Sequence, residues 1–141
     1  MGKIKSILLV DDDRDDQLLF QEALSEADGT VLYQSALSGA EALDKLISGV
    51  IAVPDIIFMD VNMPRMTGLD CLKEFRKVDR LKPVPVIMYS TSCSAAYQKE
   101  CIENGATHYI EKPNDFAELS SSIKSLLTSA IPSAINNKPA L

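Results

Sequence analysis

Five aspartates fall within six positions directly after an apolar run, in LLVDDDRDDQLLF (Leu8 to Phe20). At roughly 4 Å and an effective dielectric of about 20, each like-charged pair costs on the order of 4 kcal/mol. A counter-charge is therefore expected beside them, and Mg²⁺, which prefers oxygen ligands and retained waters, would supply it. Three further polar groups stand at the ends of apolar runs. Asp60 follows DIIFM, Ser90 and Thr91 follow VPVIMY, and Lys112 follows THYIE and precedes Pro113. A lone carboxylate such as Asp60 can attack a phosphoryl group and form an aspartyl phosphate. A cation and the Lys112 ammonium would then neutralise charge on the transferring oxygens, and the Ser90 hydroxyl would donate a hydrogen bond to one of them.

These groups lie far apart in the chain, so the elements that carry them must bring them together. Near-continuous apolar runs predict buried strands over residues 4–10, 55–59 and 84–89, with weaker ones over 30–36 and 107–110. Helical periodicity predicts helices over 14–27, from Ser38-Gly39 to Ile47, over 69–78 and 95–103, and from an Asn114 cap to about Ser129. Leu19, Phe20, Ala23, Leu24 and Ala27 mark the inward face of the first helix, and Ala40, Leu43, Leu46 and Ile47 that of the second. Asn104-Gly105 stops the fourth. Strict alternation of five strands and five helices predicts an α/β fold: a doubly wound parallel sheet with right-handed crossovers and helices on both faces. Ligands of such sheets bind beyond the carboxyl ends of the strands, at the switch in strand order. Asp11, Asp12, Asp60, Ser90 and Lys112 all emerge on that edge.

Composition narrows the function. The chain has 141 residues, 46% of them hydrophobic, and a formal net charge of -6. That predicts one domain over residues 4–130, followed by a flexible tail over 131–141. The acidic balance argues against direct nucleic-acid binding, which needs a basic face. Three cysteines, Cys71, Cys93 and Cys101, without a CxxC spacing fit small buried hydrophobes in a reducing cytoplasm. No apolar run approaches membrane-spanning length, and the four apolar residues before Asp11 are too few for a signal-peptide core. The Met1-Gly2 start formally fits a myristoylation pattern, which a strand beginning almost at once makes accidental.

Four segments, ILLVDDD, PDIIFMDVNMPRMTGLD, VPVIMYST and GATHYIEKP, in this order and at these spacings, resemble the receiver domains of two-component response regulators. The resemblance covers about residues 4–128 and implies a flavodoxin-like sheet. It implies that Asp60 is the phosphoacceptor and that Asp12 is the main Mg²⁺ ligand, with Asp11 acting largely through water. The backbone carbonyl of Asn62 would complete the protein ligands. Ser90 would be the switch hydroxyl, although a one-residue slip would give that role to Thr91. Lys112 would pair with the phosphate, aimed by a cis Lys112–Pro113 bond. Tyr109 would be the switch aromatic, and Asn62 and Ser92 would set the phosphate lifetime. The implied protein is a stand-alone, cytoplasmic signalling switch rather than a turnover enzyme. A histidine kinase or phosphotransfer protein would phosphorylate it, and it would act on an unknown downstream protein.

Blander readings compete. Asp13, Asp15 and Asp16 suit helix N-caps and dipole partners, although Asp13 could extend the metal site. His108, alone of its kind, reads as a surface strand residue, and Tyr109 could be plain core. Asp11, Asp13, Asp15 and Glu22 match calcium-loop positions 1, 3, 5 and 12, but Asp16 stands where the turn needs glycine. The D-x-D of Asp11 to Asp13 also suggests a haloacid-dehalogenase-type phosphatase with Asp11 as nucleophile. Such enzymes carry Thr or Val where Asp15 stands here.

Overall fold

The computed structural model describes residues 4–91, 94–113 and 115–128. The expected tail, the Asn114 cap, Cys93 and Ser92 lie outside the described residues. Five strands, β1 (Ser6–Val10), β2 (Leu32–Ala36), β3 (Ile56–Asp60), β4 (Val86–Ser90) and β5 (His108–Glu111), form one parallel sheet in the order β2-β1-β3-β4-β5. Between and after them run α1 (Arg14–Ala27), α2 (Gly39–Ser48), α3 (Gly68–Phe75), α4 (Ala95–Glu103) and α5 (Phe116–Thr128). A 3-10 turn, Asp79–Leu81, precedes β4.

Two apolar layers hold the sheet. Leu8, Val10, Ile57, Met59, Val86 and Met88 face α2, α3 and α4, while Ile7, Leu9, Ile56, Phe58, Ile87 and Tyr89 face α1 and α5. Burial on both sides explains why β1, β3 and β4 are apolar throughout rather than alternating. Phe20 of α1 seals the second layer, with its ring 5.0 Å from Phe58 and 5.7 Å from Tyr89 in edge-on contacts.

The helices begin where polar side chains satisfy their free amides. Asp13 accepts from the Asp15 and Asp16 N–H groups, Ser38 from Glu41, Ser94 from Tyr97 and Asp115 from Glu118. Thr67 and Asp70 close a reciprocal capping box on α3. Two inward faces differ from expectation. In α2 it is Gly39, Ala42 and Leu46 that are buried, while Ala40 and Ile47 are exposed. The helix turns this way because Gly39 lies against Cys71 and Met66, where a Cβ would meet sulfur at 2.7 Å. In α1, Leu19 is 41% exposed, and Phe20, Ala23 and Leu24 fill the core instead.

At the edge where the strands begin, charged groups bind backbone. Arg76 donates to the carbonyls of Leu81, Lys82, Val84 and Gly105. Arg80 donates to the last carbonyls of α2, at Leu46 and Ile47. The Asp55 carboxylate accepts the Lys5 and Ser6 N–H groups and so ties the start of β1 to β3.

Candidate functional site

The opposite edge, where the strands end, gathers the chemistry. β1 stops at Val10 and delivers Asp11, which is fully buried, and Asp12, which is exposed. Next to it β3 ends on Asp60, itself only 5% exposed. Because β1 has β2 on one side and β3 on the other, this is the point where the strand order reverses. One carboxylate oxygen from each of Asp11, Asp12 and Asp60 lies within 4.8 Å of the others. Asp13 does not join them; its carboxylate caps α1.

One close glycine approach and one left-handed residue shape the β3–α3 connection. The α3 amide of Gly68 donates to the Val61 carbonyl, and a Cβ there would stand 2.4 Å from the Asp60 carbonyl oxygen. Arg65, at φ 66°, turns the loop in the left-handed region that favours glycine. Asn62 sits at the start of this loop. Its N–H donates to Asp60 Oδ1 at 3.4 Å, and its side-chain amide donates to Ser90 Oγ at 3.4 Å.

β4 extends one residue beyond the expected end, so Ser90 closes the strand and is fully buried. Thr91 follows it and is exposed. The Lys112 N–H donates to the Ser90 carbonyl at 2.7 Å, which docks the end of β5 beside β4. The Lys112–Pro113 bond is trans, not cis as the resemblance implied. The strand pairing already aims Lys112, and its ammonium reaches Asp16 Oδ2 at 2.9 Å, Asp11 Oδ2 at 3.2 Å and Asp60 Oδ1 at 3.7 Å. The Tyr89 ring lies beneath it, with its centroid 5.2 Å from Nζ. Tyr109 is half-buried against the core, with its hydroxyl out of solvent, and His108 is half-buried in β5.

The electrostatics follow from burial. Desolvation, then the neighbouring Asp11 charge, pushes the Asp60 carboxyl up to about 6, and Lys112 offsets only part of this. Desolvation likewise raises Asp11 against the Asp13 N–H and Lys112. Burial works against the Lys112 charge, but the Asp16 hydrogen bond and the charges of Asp11 and Asp60 outweigh it and raise the ammonium above its usual value. The edge thus holds more negative charge than its one lysine compensates.

Sequence reasoning missed two participants. Asp16, read as a dipole partner, makes the shortest bond to Lys112, and Tyr89, read as a strand residue, supports the lysine with its ring. The signal for Asp16 was its place in the first turn of α1. Side chains there lean back toward the helix N-terminus, and so toward the strand ends.

Comparison with known proteins places the chain in a family. The chain matches the response regulator receiver domain family over residues 7–124. It is 36% identical over 114 residues to protein-glutamate methylesterase/protein-glutamine glutaminase 1 of Hahella chejuensis, a match covering 79% of this chain and 30% of that protein. Among similar curated relatives the chain spans between 14% and 50% of their length. A crystal structure of the phosphorylated cyanobacterial phytochrome response regulator RcpA superposes with a TM-score of 0.79 at 28% identity, over 87% of this chain and 91% of that one. The Mn²⁺-bound form of response regulator Rcp1 gives 0.74 at 25% identity, over 89% and 96%. With four motifs in order, the strand order β2-β1-β3-β4-β5 and a match spanning most of its length, the chain belongs to the response regulator receiver domain family.

Proposed function

We propose that the chain is a phosphorylation-controlled switch in which Asp60 accepts a phosphoryl group from phosphohistidine on a histidine kinase or phosphotransfer protein. The observation that carries this reading is the convergence of the Asp60 carboxylate with Asp11 and Asp12, with the Lys112 ammonium 3.7 Å away. An Asp60 carboxylate oxygen attacks phosphorus, a P–O bond forms, and the P–N bond to the donor imidazole breaks. The converging oxygens of Asp11, Asp12 and Asp60 form a hard donor set that fits Mg²⁺. Asp12 would be its principal ligand and the Asn62 carbonyl a further one. When bound, the cation would neutralise charge on the phosphoryl oxygens.

The added group carries about -1.5 to -2 charge. Lys112 would move onto it, and the Ser90 hydroxyl would turn from the Asn62 amide to donate to it. Tyr109, already packed inward, would be held by that movement, biasing a two-state surface over α4, β5 and α5. Asn62 and Ser92, both small and polar, would let water reach the acyl phosphate and limit its lifetime. The effect passes to a downstream protein rather than to nucleic acid or a membrane. No helix among the described residues is long and apolar enough to cross a bilayer, and a cytoplasmic location fits. A haloacid-dehalogenase-type phosphatase finds no support: both oxygens of its would-be nucleophile, Asp11, are engaged by the Asp13 N–H and Lys112.

The test is Mg²⁺ with acetyl phosphate, followed by intact-mass measurement and peptide mapping. The native chain should gain one phosphoryl group on Asp60, and Asp60→Asn should gain none while keeping its melting transition. A phosphoryl group mapped to Asp11, or a normal gain in Asp60→Asn, would overturn the assignment.

A further inference from the structure

Lys112 has three acceptors within reach, and the nearest is not Asp60. Its Nζ donates to Asp16 Oδ2 at 2.9 Å and to Asp11 Oδ2 at 3.2 Å, and it stands 3.7 Å from Asp60 Oδ1, too far for a hydrogen bond. Asp16 belongs to the first turn of α1, whose start the Asp13 cap fixes, and its carboxylate is 42% exposed at the rim. Tyr89 supports the ammonium from below. Asp16 and Tyr89 therefore hold the lysine on the α1 side of the site, away from the oxygen that would carry phosphorus.

We infer that Asp16 is a positioning residue that parks the Lys112 ammonium on α1 and competes with the phosphoryl group for it. This rests on the phosphoacceptor reading of Asp60. A phosphoryl oxygen on Asp60 draws Lys112 inward, and the Lys112–Asp16 ion pair must open or lengthen. Every phosphorylation therefore works against that pair, and removing the Asp16 charge frees the lysine in advance. Asp15 provides the internal control. It is one residue away on the same turn and exposed, and the ion pairs of Lys112 run to Asp11, Asp16 and Asp60 instead. A long-range effect of removing one nearby charge would appear at both positions, whereas loss of the direct ion pair would appear at Asp16 alone.

The experiment titrates trifluoroberyllate, a non-covalent phosphoryl mimic, into the Mg²⁺-saturated full chain by calorimetry. It compares the native protein with Asp16→Asn, Asp16→Glu and Asp15→Asn. Asp16→Asn should bind the mimic about fivefold more tightly, the scale of one partly exposed ion pair. Asp15→Asn should change affinity by less than about twofold, and Asp16→Glu, which keeps the charge, should return toward native. A loss of folding would weaken binding, so the gain in affinity separates positioning from a structural role. Equal affinities for native and Asp16→Asn, weaker binding by Asp16→Asn, or an equal gain in Asp15→Asn would overturn the inference. If the native chain does not bind the mimic at all, the phosphoacceptor reading itself fails.

Discussion

The two ends of the sheet use charge in opposite ways. Where the strands begin, Arg76, Arg80 and Asp55 each meet backbone groups of complementary partial charge. Arg76 alone joins four carbonyls from two segments, 81–84 and Gly105. Where the strands end, Asp11, Asp12 and Asp60 meet one another, and a single lysine is shared among Asp11, Asp60 and Asp16. The first arrangement is complete within the chain. The second holds more negative charge than its lysine offsets, so a bound cation is favourable there. One edge is satisfied within the chain and the other is left short of positive charge.

The largest effect that sharpens this contrast is Arg76→Ala. It strips the guanidinium from the carbonyls of Leu81, Lys82, Val84 and Gly105, the first and third of them partly buried, and should cost about 3 kcal/mol in urea denaturation. Mg²⁺ affinity, set at the far edge, should stay within about twofold. A matching loss of Mg²⁺ binding would break the division.

Next in size is the coupling of Mg²⁺ to stability and pH. Mg²⁺ at a hundredfold excess over its Kd should stabilise the chain by about 2.7 kcal/mol near pH 7. In metal-free protein the Asp60 carboxyl, at about 6, lies above its unfolded value of roughly 3.9. The folded state therefore binds that proton more tightly, and Asp11 acts in the same direction. Their contribution is fully present below about pH 4 and is lost as pH rises through about 6. Metal-free stability from these groups should fall across that window, and Mg²⁺ should stabilise more at pH 7 than at pH 5. Equal Mg²⁺ effects at both pH values, read from melting curves, would contradict the frustrated edge. Asp12→Ala should remove most of the Mg²⁺ effect.

The smallest is Asp13→Ala, which deletes the α1 cap and should cost about 1 kcal/mol. Mg²⁺ affinity should change little, because this carboxylate is engaged with the Asp15 and Asp16 amides rather than with the metal group.

Much of this was legible before any coordinates. The strands announce themselves because residues covered on both faces must be apolar, and α1 and α4 fall on the boundaries their caps and stop signals predict. Asp11, Asp12, Asp60 and Lys112 converge because parallel strands deliver their last residues to one edge. What was harder to read was orientation. The apolar arc of α2 is broad, with Ala40 at one margin and Ala42 at the other, so periodicity could not choose between them. A close approach by Gly39 decided it, and that depends on residues 27 and 32 positions away. Asp16 and Tyr89 escaped for a related reason. Their role depends on the path of the Lys112 side chain, which is set by contacts across the whole fold.

Gly68 gives the end of β3 a weakness that has nothing to do with charge. An added methyl group would have to occupy space held by the Asp60 carbonyl and the Val61 backbone. The smallest inert substitution at that one position would therefore push the strand end and the helix apart. The site could be silenced by volume alone, with every ionisable group intact.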